Sequence, residues 1–253
     1  MAKESFEEFY RRIYGTRWDA LREALTGEEA PKRSIDGLIE PYFMDDASIE
    51  TALLLPVEEG NEILDMCAAP GGKTIVLLSR LNGTGRLVSN DRSPDRRERM
   101  RRAIASSCPE KWRSASTITG HDASRWGLYE KEAYDAILLD APCSSERHVL
   151  TSPEHYRMWS PSRPKRLKAQ QFAMLSSAFL ALRHGGFLLY STCSINPEEN
   201  EEIIARLMKR HPGEVEEAKI MLTDGEKREH GMIVLPDTAK GRGPMYAALL
   251  RKI

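Results

Sequence analysis

The chain has 253 residues, 30% of them charged and 41% hydrophobic, with a formal net charge of −1. That length can bury a full core in one domain, and the near-neutral charge excludes a protein that grips a polyanion over its whole surface, so any such contact must come from local clusters. The four cysteines include no C-x-x-C pair, which excludes a disulfide framework and a zinc ribbon, suits a reducing compartment and implies no metal.

Residues 1–10 mix Glu with Lys and hold no apolar core of a leader, and no stretch approaches the roughly 20 apolar residues of a membrane span. A soluble, intracellular protein without a membrane partner is expected. Residues 5–25 place Phe6, Phe9, Tyr10, Ile13, Tyr14, Trp18 and Leu21 at helical spacing between charges, which predicts an amphipathic helix interrupted near Gly15. Its aromatic stripe is expected to cover the core. Residues 31–41 connect, and residues 47–55 form another short helix. From residue 61 strand and helix patterns alternate: strand 63–66, helix 74–81, strand 86–90, a basic helix 94–106, strands 116–119 and 134–139, helix 165–182 and strand 186–191. Helix 198–209 follows, opened by Asn196-Pro197 with acids in its first turn, and residues 245–252 form a terminal strand. Repeated βα units imply a mostly parallel sheet with helices on both faces.

The run Asp65-Met66-Cys67-Ala68-Ala69-Pro70-Gly71-Gly72-Lys73-Thr74 reads as a strand end, a tight glycine turn and a helix start. It is not a phosphate-binding P-loop, because Cys67 stands where that motif needs its first glycine, and no G-x-G-x-x-G is present. What remains is a turn in which Gly71 and Gly72 allow close backbone approach. The next strand ends at Asp91, about 20 residues past the glycines, where a carboxylate meets the ribose hydroxyls of an adenosine cofactor. The third ends at Asp122, which could accept from an adenine amino group. A strand-end acid also serves as a helix cap, but Asp65, Asp91 and Asp122 on successive strand ends beside a glycine turn describe an S-adenosylmethionine pocket better than a dinucleotide one.

Two further strands end in cysteines, in Asp140-Ala141-Pro142-Cys143-Ser144 and in Ser191-Thr192-Cys193. Open α/β sheets bind ligands at such ends. A thiolate adding to carbon 6 of a pyrimidine makes carbon 5 electron-rich and able to accept a methyl group. An acid near ring nitrogen 3 favours that addition, and Asp140 is at hand. A base must then remove the carbon 5 proton, and a second thiol could assist release. Spacing alone leaves open which cysteine attacks. Cys67 and Cys108 lack an activating context and are expected to be structural thiols.

These three segments, the last continued by Ser194-Ile195-Asn196-Pro197-Glu198-Glu199-Asn200-Glu201, resemble the Nop/Sun family of RNA cytosine-5 methyltransferases from about residue 42 to the C-terminus. The resemblance implies a class I S-adenosylmethionine-dependent methyltransferase fold, Rossmann-like, with a mostly parallel seven-stranded sheet whose last strand is antiparallel. Residues 47–253 would form the catalytic domain, preceded by an N-terminal helical extension over 1–46. It further implies Cys193 as the nucleophile, Cys143 as the release thiol, and a cofactor pocket built by Cys67, Ala68, Ala69, Pro70, Gly71, Gly72, Lys73, Asp91, Arg96, Asp122 and Asp140. Asp140 would also face the target base, with Lys73 orienting it.

Glu146-Arg147-His148 and Gly243-Pro244-Met245-Tyr246 resemble the short Sun-type enzymes typified by the mitochondrial ribosomal RNA methyltransferase. Ribosomal RNA is therefore the favoured substrate and transfer RNA the alternative, in the cytoplasm or, in a eukaryote, the mitochondrion. No appended RNA-binding domain is visible, so a partner protein or an assembled ribosomal subunit would help select the RNA. Arg147 and His148, beside the Pro-Cys loop, are the expected RNA contacts. A different class of reading is a catalytically silent ribosome-assembly scaffold on the same fold, which would be expected to have lost a nucleophile or a cofactor acid.

Overall fold

The computed structural model describes residues 4–253. Helix α1 (Phe6–Tyr14) is capped reciprocally: the Ser5 hydroxyl accepts from the Glu8 N–H while Glu8 accepts from the Ser5 N–H. Gly15, at φ +58, ends it, and a 3-10 turn leads into α2 (Trp18–Thr26). Phe6, Phe9, Tyr10, Trp18 and Leu21 are buried, and Tyr10 stacks on Trp18 with ring centroids 5.2 Å apart. The aromatic stripe is therefore packing, as its spacing predicts.

After α3 (Asp46–Leu53) the alternating units begin: β1 (Glu62–Asp65), α4 (Gly72–Leu81), β2 (Arg86–Asn90), α5 (Pro94–Ser107), α6 (Glu110–Arg113), β3 (Ser116–Thr119) and β4 (Tyr134–Asp140). Then come α7 (Glu146–Thr151), α8 (Pro153–Met158), α9 (Ser162–Ala181), β5 (Leu182–Thr192), α10 (Glu201–Arg210), β6 (Val215–Ala218), β7 (Gly225–Lys227), β8 (Met232–Val234) and β9 (Met245–Lys252). One sheet runs in the order β3-β2-β1-β4-β5-β9-β8-β7, with β6 pairing β9 beside this path. Strands β1 to β5 are parallel, and β9 runs antiparallel to β5, with Ala248 opposite Tyr190.

Successive β4 residues point to opposite faces. Ile137 and Leu139 join a core with α1, α2, α9 and α10, whereas Ala136 and Leu138 join one with α4 and α5. The N-terminal helices thus share their core with the sheet.

The sheet has nine strands rather than the seven expected. The additions are short and carry Glu216, Glu217, Glu226 and Lys227, so no apolar period reveals them. Helix α9 stops at Ala181 and β5 starts at Leu182, earlier than the expected 186, because Leu182 is already extended at φ −77, ψ 135. A 3-10 turn over Pro197–Glu199 delays α10 to Glu201. The carboxyl ends of β1, β2, β4 and β5, at Asp65, Asn90, Asp140 and Thr192, share one edge.

Candidate active site

The glycine turn between β1 and α4 is a close approach of backbone to packed side chains. Gly71 has φ +111, and a Cβ there would lie 3.0 Å from Met100 Cγ; one on Gly72 would lie 3.2 Å from both Tyr42 and Met44. Beneath the turn Asp65 is 1% exposed and its Oδ2 accepts from the Thr74 hydroxyl at 2.7 Å. Burial pushes its carboxyl up to about 7, against the pull of that hydrogen bond. Its Oδ1 has no protein partner.

Two clefts meet at this turn. One is lined by Tyr42, Met44, Ala68, Gly72, Lys73 and Asp140, the other by Asp91, Arg96, His121, Asp122, Pro142 and Met174, and Cys67 lines both. Asp91 is buried, takes the Ser93 N–H at 2.9 Å on Oδ1 and faces Arg96 at 3.3 Å through Oδ2. Arg96 also donates to the Ala69 carbonyl. Asp122 is exposed, and its Oδ1 accepts from the Ser124 N–H at 3.0 Å and the Ser124 hydroxyl at 2.7 Å, which hold its carboxyl below the usual range. It is a helix cap on the cleft wall. Two polar clefts joined at Cys67, with acids at one end and a glycine turn at the other, suit an adenosine joined to an amino-acid chain.

Asn90 organises the second cleft. Its Nδ2 donates to Met66 O at 3.0 Å and His121 O at 3.1 Å, and its Oδ1 accepts from the Thr119 hydroxyl at 3.0 Å and the His121 N–H at 2.7 Å. It ties together the ends of β1, β2 and β3. Its signal in the sequence is an amide at the strand position just before Asp91.

At the ends of β4 and β5 the Cys143 and Cys193 sulfurs stand 3.1 Å apart. Cys193 Sγ also lies 3.6 Å from the Ser145 hydroxyl. The hydrogen bond from Cys143, with help from Ser145, holds the Cys193 thiol below its ordinary value despite burial. Cys143 is pushed well above its own by the bond it makes to Cys193 and by burial. Cys193 is thus the more readily ionised thiol of the pair. Lys73 Nζ lies 2.8 Å from Asp140 Oδ2, and the Ser191 hydroxyl donates to Oδ1 at 2.8 Å. Burial alone would lower Lys73, but the Asp140 carboxylate outweighs it and keeps the amine above its ordinary value.

Cys193 opens into a cavity of about 480 Å³ whose walls include Phe43, Ser145, Arg147, His148 and Pro244. Arg147 is engaged there, its Nη2 donating to Gly243 O at 2.9 Å and Gly241 O at 3.4 Å. His148 is exposed, its ring 4.4 Å from that of His155. The arginines of α5 are largely committed to other groups: Arg101 and Arg102 to Glu98, Arg97 to the carbonyls of Asp91 and Arg92, and Arg96 to Asp91. Among the described residues no group of His, Cys, Asp or Glu is arranged to hold a metal, and no helix is long and apolar enough to cross a membrane. Glu146 and Glu199, buried beside the two cysteine loops, went unassigned because carboxylates default to the surface.

Parallel strands whose carboxyl ends carry a glycine turn, a strand-end acid and two adjoining clefts make a Rossmann-like fold with a ligand site at that edge. The chain belongs to the family described as 16S rRNA methyltransferase RsmB/F, which matches residues 52–251. It is 34% identical over 224 residues to the mitochondrial tRNA (cytosine(34)-C(5))-methyltransferase of Danio rerio, covering 84% of this chain and 60% of that protein. It is 38% identical over 178 residues to the 5-cytosine rRNA methyltransferase NSUN4 of Xenopus laevis, covering 68% of this chain and 43% of the relative. The chain thus spans between two fifths and three fifths of these relatives' length. Among solved structures, NSun6 from Pyrococcus horikoshii with SFG superposes with a TM-score of 0.69 at 26% identity, covering 83% of this chain and 53% of that one.

Proposed function

We propose that the chain is an S-adenosylmethionine-dependent RNA cytosine-C5 methyltransferase that attacks cytosine C6 with Cys193. The observation that carries this reading is the asymmetric thiol pair, 3.1 Å apart, beside the Lys73–Asp140 ion pair.

S-adenosylmethionine, when bound, supplies an electrophilic methyl group. Asp91 would hold its ribose hydroxyls and Asp122 its adenine amino group. The backbone from Cys67 to Gly72 would border the amino-acid portion, with Lys73 and Asp140 at the inner end and Arg96 steadying Asp91. On the substrate, the Cys193 thiolate forms a bond to C6, and the ring takes up the electron pair as an enamine. Asp140, aimed by Lys73 and Ser191, faces ring nitrogen 3, and in its acid form it gives that nitrogen the proton that balances the charge arriving with the thiolate. After methylation a base takes the C5 proton, the C5–H electron pair re-forms the C5–C6 double bond, and the Cys193 sulfur departs from C6 as thiolate. Cys143 donates a hydrogen bond to that sulfur, which stabilises the charge it regains.

Ribosomal RNA is the favoured substrate, on the description of the family, with transfer RNA as the alternative, on the name of the Danio rerio relative. Arg147 and His148, which line the cavity above Cys193, are the proposed RNA contacts, and a looped or remodelled RNA whose cytosine can leave its stack is the easier substrate. A partner protein or assembled ribosomal subunit would supply further selection, in the cytoplasm or, in a eukaryotic cell, the mitochondrion. We take residues 47–253 as the catalytic domain and 1–46 as its helical extension. Retention of both thiols and of Asp91 and Asp140 argues against a silent scaffold.

The test is transfer of labelled methyl from S-adenosylmethionine to small-subunit ribosomal RNA and, separately, to transfer RNA. Label in one pool that vanishes with Cys193→Ala supports the reaction and assigns its substrate. Label that persists with Cys193→Ala overturns the nucleophile.

A further inference from the structure

Glu146 and Glu199 are both fully buried, and each sits on the loop of one cysteine while bonding the loop of the other. Glu146, three residues after Cys143, accepts from the Ser194 hydroxyl at 3.0 Å and the Ile195 N–H at 3.0 Å, the groups that follow Cys193. Glu199, six residues after Cys193, accepts from the Ser144 N–H at 2.9 Å and is bonded to the Ser144 hydroxyl, the groups that follow Cys143. The arrangement is reciprocal: each carboxylate spans a backbone N–H and a serine hydroxyl next to the opposite thiol. Both are anchored from outside the loops. Tyr10 of α1 donates to Glu146 at 2.5 Å, and Gln171 of α9 donates to Glu199 at 2.9 Å.

We infer that Glu146 and Glu199 form a crossed clasp that positions the two thiols for a division of labour, Glu146 fixing Cys193 for attack and Glu199 fixing Cys143 for release. This rests on the function proposed for the pair. A buried carboxylate satisfied by two donors on another loop ties that loop down firmly, because leaving such groups unpaired costs more than one ordinary hydrogen bond contributes. Neither glutamate contacts the space where the base must sit, so both are positioning residues. Burial, with the Glu146 charge beside it, pushes Glu199 up to about 8 although Gln171 and Ser144 pull against it. Raised in this way, its carboxyl can share a proton with the Ser144 hydroxyl, a bond that a glutamine can imitate.

The experiment incubates each variant with substrate RNA and S-adenosylmethionine and follows both turnover and covalent protein–RNA adduct on a denaturing gel, with Cys143→Ala as control. Glu199→Ala, which frees the release thiol, is expected to accumulate adduct as the control does, and Glu199→Gln to restore release. Glu146→Ala, which frees the attacking thiol, is expected to slow adduct formation itself. Equal loss at both positions without adduct, while the control traps it, overturns the clasp. A control that traps nothing overturns the proposed release role of Cys143 instead.

Should the alanine variants fail to fold, Ser144→Ala and Ser194→Ala remove one hydroxyl each. Their disulfide formation between Cys143 and Cys193 can be followed without RNA or cofactor, with diamide accepting the two electrons and two protons. Slowing by about three- to tenfold is expected from the loss of one hydrogen bond, and an unchanged rate in both contradicts the clasp.

Discussion

Lys73 Nζ lies 2.8 Å from Asp140 Oδ2, so α4 and β4 deliver one ion pair to the wall of the cleft at the glycine turn. Asp140→Asn keeps the shape and the Ser191 contact but removes the charge. It is expected to lower kcat by about 10²–10⁴ while leaving a folded protein that still binds S-adenosylmethionine by calorimetry. Lys73→Met is expected to lower kcat and also Tm, because it strands a half-buried carboxylate.

The thiols are expected to differ sharply in reactivity. Burial raises Cys67, raises Cys108 to about 11, and together with the bond to Cys193 raises Cys143, whereas Cys193 is held low. Brief iodoacetamide treatment near neutral pH should alkylate Cys193 first, as read by peptide mass mapping. In Cys143→Ala the alkylation rate should need a higher pH to reach its midpoint, since the stabilising donor is gone. Equal labelling of all four cysteines contradicts this.

Much of this site was legible because it lies where elements end. Gly71 and Gly72 mark a turn that needs a missing Cβ, and Asp91, Asp140, Cys143 and Cys193 each follow an apolar run that reads as a strand. The parts that escaped depend on tertiary pairing. Asn90 looks like an ordinary strand residue until three strand ends converge on it. Glu146 and Glu199 read as surface acids because their partners, Tyr10, Gln171, Ser144 and Ser194, come from distant segments. Asp122 reads as an adenine contact or as a helix cap, and the structure shows it capping Ser124. Strands β6 and β7 are held by their pairing with β9 and β8 rather than by any pattern of their own.

Asp65 ties stability to pH. Its carboxyl is raised from an ordinary 3.8 to about 7 in the folded protein, so between those values the folded state holds a proton that the unfolded chain has released. Its contribution is fully present below about pH 4 and is lost as pH rises toward 7, at up to about 1.4 kcal/mol per pH unit. Asp65→Asn should flatten this part of the stability curve in urea titrations across that window. An unchanged slope would show that Asp65 ionises normally in the fold.

Gly71→Ala is expected to destabilise the protein by about 1–2 kcal/mol from left-handed backbone strain, with added crowding against Met100, 3.0 Å from the new methyl. The same change should weaken S-adenosylmethionine binding in calorimetry. Gly185, also at positive φ but with open space around its Cβ position, provides a comparison: Gly185→Ala should cost stability without changing cofactor affinity.

The assignment of Cys193 as nucleophile is tested most directly with substrate RNA carrying 5-fluorocytidine at the target. The carbon–fluorine bond at C5 cannot be resolved by proton loss, so methyl transfer leaves the enzyme bonded to C6. Digestion and mass spectrometry of the adduct then identify the attached residue. Attachment to Cys193 is the expected result, and attachment to Cys143 contradicts it.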